Sequence, residues 1–409
     1  MIRFNSRTII LFVALAAGII IVVMIVFSIR AGFSYINNDN NSVQQPSPQD
    51  TYAWSTENVS TQQGSLPLSE SAPSFAYPGA SFAYITNDND NGKLKHGSIS
   101  FINTANDTVT ATVYVGTDPY GVTVSPSGTK VYVTDYKANN VLIIDTATGT
   151  LNDSVPVENM PVGIAVTPDG NRLYVANSGS NSVSIIATST NEVVRTLNGF
   201  NDPFGVAVTS DGKKAYVTNS GSSTVSVIDT DTYQVSSVQG IDSPGGIAIT
   251  QDGKKVYVTS GRTNTAYVID TLAKKIVNVT VGSNPKGIAI SPDGKKVYVT
   301  NDGGIKNSSI SVIDTTTNKV IDTVKLVDGC YGIAVTPDGK KVYTASRECG
   351  AVFILDTTTG KVDPVPVKTN PKAFGQFIGT YSSLASPTTP PTQGESITSK
   401  STMSTKSTQ

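Results

Sequence analysis

Two patterns of apolar residues divide the chain. From Ile9 to Ile29 they form one run of 21 positions without a charge. From about residue 75 to residue 380 they come in short bursts, mostly β-branched or alternating with polar residues, and no i, i+3, i+4 stripe persists. The first pattern predicts a helix; at ~1.5 Å per residue, 21 residues span a ~30 Å hydrocarbon core. The second predicts short β-strands and nothing else.

The strand bursts repeat. A Tyr-Val-Thr-like strand recurs at Tyr84, Tyr132, Tyr174, Tyr216, Tyr257, Tyr298 and Tyr343. Pro285 to Lys319 is the clearest copy of the unit. It opens with Pro-x-Gly and a small apolar strand, Gly287-Ile288-Ala289-Ile290. Pro-Asp-Gly follows, a turn with glycine where φ is positive. Lys-Val-Tyr-Val-Thr, Ser-Val-Ile-Asp and the run around Val320, Asp322 and Val324 supply three more strands. Four short antiparallel strands per ~40–45 residues is the spacing of a propeller blade. The expected fold is therefore all-β, a seven-bladed β-propeller with four-stranded antiparallel blades, preceded by one N-terminal transmembrane helix. The first copy lacks its own Pro-x-Gly strand, while Pro371 to Ile378 forms an orphan first strand after the seventh. That segment is expected to pair into blade 1 and close the ring, removing two sheet edges.

The unit P-x-G-I-A-V-T-P-D-G-K-K-V-Y-V-T-N stands almost whole in the middle blades and resembles the repeat of the YVTN-type β-propeller family. The likeness spans about Ala76 to Thr380. That family is known from archaeal cell-surface and surface-layer proteins, and its shape is similar to seven-bladed lactonases and quinoprotein dehydrogenase propellers. Shape does not carry an activity with it.

The flanks complete the domain plan. Residues 1–8 are read as a cytoplasmic N-terminus and 9–29 as an uncleaved signal anchor, because Arg3 and Arg7 precede the apolar run and only Arg30 follows closely. Residues 30–74 are a polar, disordered linker spanning roughly 35–40 Å, the propeller covers 75–380, and 381–409 is a Ser/Thr/Pro-rich tail. This places the propeller on the extracellular side of a membrane. Sequons at Asn58, Asn106, Asn152, Asn278 and Asn307 are then glycosylation candidates.

Charge and chemistry narrow the function. A net charge of −1 removes the simple case for nucleic-acid binding, and one His with two Cys excludes a zinc-finger or disulfide-dense domain. The innermost strands carry no carboxylate, His or Cys, so neither a metal-dependent lactonase centre nor a cofactor is read from them. The expectation is a non-catalytic binding or structural module at the cell surface, with surface proteins or glycans as partners. An extracytoplasmic hydrolase or lyase of the seven-bladed lactonase type is the alternative.

Candidate binding residues sit between Pro and Gly of each unit, near the channel mouth: Tyr120, Phe204, Lys286, Tyr331 and Lys372, with Val162 and Gly245 between them. Aromatics and ammoniums there would stack on sugar rings or hold an acidic ligand; the other reading is that the aromatics plug the channel and the lysines are solvated. Irregular loops at 87–97, 302–307 and 347–349 are expected to cluster. Asn87 to Gly92 resembles a calcium loop weakly, with Ser98 where a bidentate Glu belongs, and no metal is assigned. Cys330 and Cys349 are expected to form a disulfide closing a loop of ~20 residues. Ten basic residues of the Asp-Gly-Lys-Lys turns, Arg172, Lys255 and Lys341 among them, would ring the opposite rim.

Overall fold

In a computed structural model, the structure describes residues 79–88 and 96–382, together with the backbone of two short strands near the N-terminus. Those two, Val13–Ala16 and Ile19–Val22, pair antiparallel within a unit spanning Met1–Leu66. The rest of the expected anchor and linker, Asn58, and the tail beyond 382 lie outside the described residues. Among the described residues no helix is long and apolar enough to cross a membrane.

The second unit is a ring of seven four-stranded antiparallel sheets. Six blades take their strands in chain order, as in Pro285–Ile290, Lys296–Asn301, Ser308–Asp314 and Lys319–Leu326 of blade 6. Blade 1 takes its innermost strand, Ile378–Thr380, from the chain's far end, against Ser81–Asn87. The ring closes as the repeat count requires. Closure is tied further by backbone bonds from Tyr84 N–H to Phe377 O at 2.9 Å and from Lys372 N–H to Thr86 O at 2.8 Å.

The repeat has a physical reason at each position. The repeated tyrosines are all buried, 4% exposed at most, and their rings fill the gaps between neighbouring blades. Tyr257 reaches past the core to donate to Asn318 Oδ1 of blade 6 at 3.2 Å, and Tyr343 reaches Asp107 of blade 1. Burial pushes the phenols of Tyr132 and Tyr257 up to about 12. The glycine of Pro-x-Gly marks where each innermost strand meets the backbone of the next blade. A Cβ on Gly121 would lie 2.1 Å from Val162 O, and one on Gly287 would lie 2.5 Å from Tyr331 O. The threonine of Tyr-Val-Thr bolts that contact. Thr300 Oγ1 accepts from Gly287 N–H at 2.8 Å within its blade and donates to Tyr331 O of the next at 2.9 Å. Thr86, Thr134, Thr218 and Thr259 donate to the next blade in the same way. Blades 3 and 7 carry Ala176 and Ala345 in that place; at blade 7 Gly332 N–H bonds Lys372 O directly, at 3.1 Å.

On the basic rim, three of the expected heads turn to the neighbouring blade while others, such as Lys254 and Lys340, stand exposed. Arg172 bonds Thr230 O of the next blade at 2.9 Å, Lys255 reaches Thr315 of blade 6, and Lys341 pairs with Asp107 of blade 1 at 2.8 Å. These heads fasten adjacent blades, because the start of each second strand lies opposite the next blade's outer turn. The aspartates of the same turns are fastened too. Asp169, Asp211, Asp252, Asp293 and Asp338 each accept the hydroxyl of a Ser or Thr two residues earlier, at 2.5–2.7 Å. That bond, then backbone N–H groups, holds their carboxyls below the usual range.

Thr300→Val strands Gly287 N–H and Tyr331 O in the core and should cost about 1–3 kcal/mol by urea unfolding; Gly287→Ala should also destabilise, since its Cβ meets backbone rather than a movable side chain. For the aspartates the folded pKa is depressed, so their stabilisation is complete above the ordinary carboxylate range and drains as pH falls below about 4. The urea midpoint should hold between about pH 7 and 5 and then decline; Thr209→Val combined with Thr250→Val should flatten that decline.

Candidate functional site

The channel is not open from end to end. Tyr120, Phe204, Tyr331 and Phe374 meet edge to face across its axis. Phe204 and Phe374 lie 5.0 Å apart at 66°, and Tyr120 and Tyr331 lie 5.9 Å apart at 85°. The hydroxyls of Tyr120 and Tyr331 share a hydrogen bond of 2.5 Å. Burial first, then Tyr331 and Asp118, raise the Tyr120 phenol well above its ordinary value, so it stays protonated. The plug separates a cavity of about 490 Å³ at the mouth from one of about 470 Å³ below, the latter walled by the Ile, Val and Ala rows of the innermost strands. The aromatics thus do plug the channel, and in doing so they make the floor of a cup.

Phe374 reaches the axis because the closing segment imitates Pro-x-Gly and then departs from it. Pro371-Lys372-Ala373 occupies that motif's place, with Ala373 N–H on Thr86 Oγ1 at 2.9 Å. Ala373 and Gly375 have φ of +43° and +121°, and this detour throws Phe374 inward, its carbonyl accepting from Val122 N–H of blade 2 at 2.9 Å. Nothing in the repeat pattern marks Phe374. The available signal is that the orphan strand breaks the Pro-x-Gly-Ile spacing.

The cup opens over blades 3 to 6. Its walls include Ser178, Asp202, Ser220, Ser243, Arg262, Asn284 and Lys286. Gly245 leaves the gap where the other blades place a side chain, between Phe204 and Lys286. The rim is braced. The residues before the prolines, Met160, Asp202 and Asn284, take left-handed backbone, and their N–H groups are held at 2.8–2.9 Å by Asn139, Asn181 and Asn264. The ammonium of Lys286 stands 5.9 Å from the Tyr331 ring and makes no ion pair among the described residues. Arg262 is exposed, 3.7 Å from Asp242. Asp202 accepts the Ser220 hydroxyl at 2.7 Å. The cup therefore offers an aromatic floor, hydroxyls and two cationic heads on its blade 5 and 6 side.

Several sequence expectations are corrected. Lys372 does not face the mouth. It is 7% exposed, over the Tyr120 ring at 4.6 Å, and paired with Asp118 at 2.9 Å and Asp88 at 3.1 Å. Asp118 also meets Lys137 at 3.5 Å. Asp88, part of the weak calcium-loop motif, is committed to Lys372; residues 89–95 of that loop lie outside the described residues. The irregular loops at 302–307 and 347–349 leave the cup to the regular blades. The expected disulfide is not formed: Cys330 is a buried thiol and Cys349 an exposed one. Asp328 takes both sulfurs instead, Cys349 on Oδ2 at 3.1 Å and Cys330 on the carbonyl at 3.6 Å. Burial raises the Cys330 thiol to about 12. Asn106, Asn152, Asn278, Asn307 and His96 are exposed. Among the described residues no group of three or more His, Cys, Asp or Glu side chains is placed to hold a metal ion.

Fold and site together define a closed seven-bladed β-propeller with a plugged bore. A family model described as a YNCE-like beta-propeller matches residues 122–222; with the ring, it supports a propeller of the YVTN type. The chain is similar to a hydrazine synthase chain from Kuenenia stuttgartiensis, at 25% identity and TM-score 0.57, over 63% of this chain and 90% of that one. It is also similar to virginiamycin B lyase from Staphylococcus aureus, at 19% and 0.52, over 61% and 84%. A candidate 6-phosphogluconolactonase from Bacteroides uniformis matches at 17% and 0.59, over 73% and 99%. The last two likenesses show the fold alone. No curated protein matches the chain.

The buried triad yields a stability test. Lys372→Met leaves two carboxylates in a site where the side chains are 3% and 6% exposed. It should cost about 3–5 kcal/mol, and adding Asp118→Asn should recover part of it, both read by thermal or urea unfolding.

Proposed function

We propose that this protein is a non-catalytic binding module, anchored by the apolar run at 9–29 and facing the outside of the cell, whose cup takes a small acidic saccharide. The observation that carries this is the ammonium of Lys286, without an ion pair among the described residues, beside an aromatic floor. A sugar ring lies on aromatic surface through its C–H faces, and a carboxylate on the ring answers a lysine head. Arg262 stands on the same side, and Ser178, Ser220, Ser243 and Asn284 supply neutral hydrogen-bonding groups for ring hydroxyls. A cavity near 490 Å³ suits one or two sugar rings. The cup's one carboxylate, Asp202, is occupied by Ser220, which favours retention of a ligand over turnover. The cell-surface setting rests on the apolar run and on the resemblance to surface propellers; the exposed sequons agree with it.

Calorimetric titration with uronic-acid oligosaccharides and their neutral counterparts tests the reading. Lys286→Gln should weaken acidic ligands by roughly 10–100-fold, the worth of a charge-assisted hydrogen bond, and leave neutral ones unchanged. Gly245→Leu should block both. Acidic saccharides that bind equally well to wild type and both variants, or that are converted on incubation, would overturn it.

A further inference from the structure

Each blade ends in an outer strand whose far edge has no partner among the described residues. An unpaired β edge is a template for another strand, and proteins guard such edges with charge, proline, a bulge or short length; the outer strand of blade 1 has only a bulge, which the charged strands of blades 2, 3 and 6 carry as well. Six of the seven outer strands here are guarded. Blade 7 carries Asp363, Pro364 and Pro366. Blade 2 has Asp153 and Pro156, blade 3 Glu192 and Arg195, and blade 5 Lys275. Blade 4 is uncharged but only five residues long, Val235–Gln239. Blade 1 is the exception: Thr108–Val115, eight residues of Thr-Val-Thr-Ala-Thr-Val-Tyr-Val, with neither charge nor proline.

Blade 6 provides an internal control. Its outer strand, Lys319–Leu326, is also eight residues long and carries the same register shift. Aligned by partners, Lys319, Asp322 and Lys325 of blade 6 stand where blade 1 has Thr108, Ala111 and Tyr114. Length and register are shared, the charges are missing, and Ala111 packs against the core where Asp322 is exposed. Tyr114 is 58% exposed and Val109 37%. Uncharged β-branched and aromatic sequence of this length is what favours strand addition.

We propose that the outer edge of blade 1 is a self-association surface, occupied by Thr108–Val115 of a second copy of this chain. A copy of the same strand is the partner its chemistry fits. Antiparallel self-pairing sets Thr and Val against Thr, Val and Tyr, pairs that stabilise a ladder, and brings no charge to be stranded opposite another. Two-fold pairing of one edge with itself also closes the assembly at a dimer.

The test uses the full chain in mild detergent, read by sedimentation velocity and by hydrogen exchange of the Thr108–Val115 amides. Wild type should dimerise, and protection of this strand should rise with protein concentration. Thr108→Lys with Tyr114→Lys, which imports at two exposed positions the lysines that blade 6 carries there as Lys319 and Lys325, should stay folded but lose both dimer and added protection. The converse change in blade 6, Asp322→Ala with Lys325→Tyr, should create a second adhesive edge and species larger than a dimer. Protection independent of concentration would mean that another part of the same chain covers the edge, and would overturn the proposal. So would a monomeric wild type, or a dimer that survives the charged variant.

Discussion

The ring depends on how closely its innermost strands approach. Seven sheets converging on one axis bring the first strand of each blade against the backbone of the next, too near for any side chain at the contact. Glycine answers the steric half of that constraint and threonine the polar half. Gly205 leaves its place empty because Gly245 O would lie 2.6 Å from a Cβ. Thr218 then links Gly205 N–H to Gly245 O, with bonds of 2.7 and 2.8 Å. The residue between Pro and Gly is freed from packing duty by this arrangement, since its backbone is already held and its side chain faces the bore. This separation lets Tyr120, Val162, Phe204, Gly245, Lys286 and Tyr331 differ while the fold stays constant.

That separation also explains what could be read from the chain. Blade number, strand order and closure follow from residues obeying a shared rule, and the tyrosine spacing with the orphan Pro371 segment conveyed all three. The site follows from residues that break the rule. The place of Tyr120, Phe204, Lys286 and Tyr331 at the channel mouth was legible because their slot is defined by its neighbours. Lys372 occupies the same slot, yet Asp88 and Asp118 draw it inward, and no local pattern links it to positions so far away in the chain. Phe374 was missed because a two-residue departure from regular backbone aims it. For Cys330 and Cys349, shared location was legible, but the competing partner was not: Asp328 lies between their segments in space and satisfies both sulfurs.

The two outward-facing chemistries lie in different parts of the ring. The cup draws its cationic heads from blades 5 and 6, while the uncharged edge belongs to blade 1 and looks away from the axis. A pairing along that edge would leave the mouth uncovered. Blade 1 is also where the first and last strands of the ring meet, so its sheet combines a borrowed inner strand with an uncharged outer one.

Phe374 belongs to the segment that seals the ring, so one stretch of chain both closes the circle and completes the aromatic floor of the cup. Loss of that segment would therefore open the bore and bare the inner edge of blade 1 together.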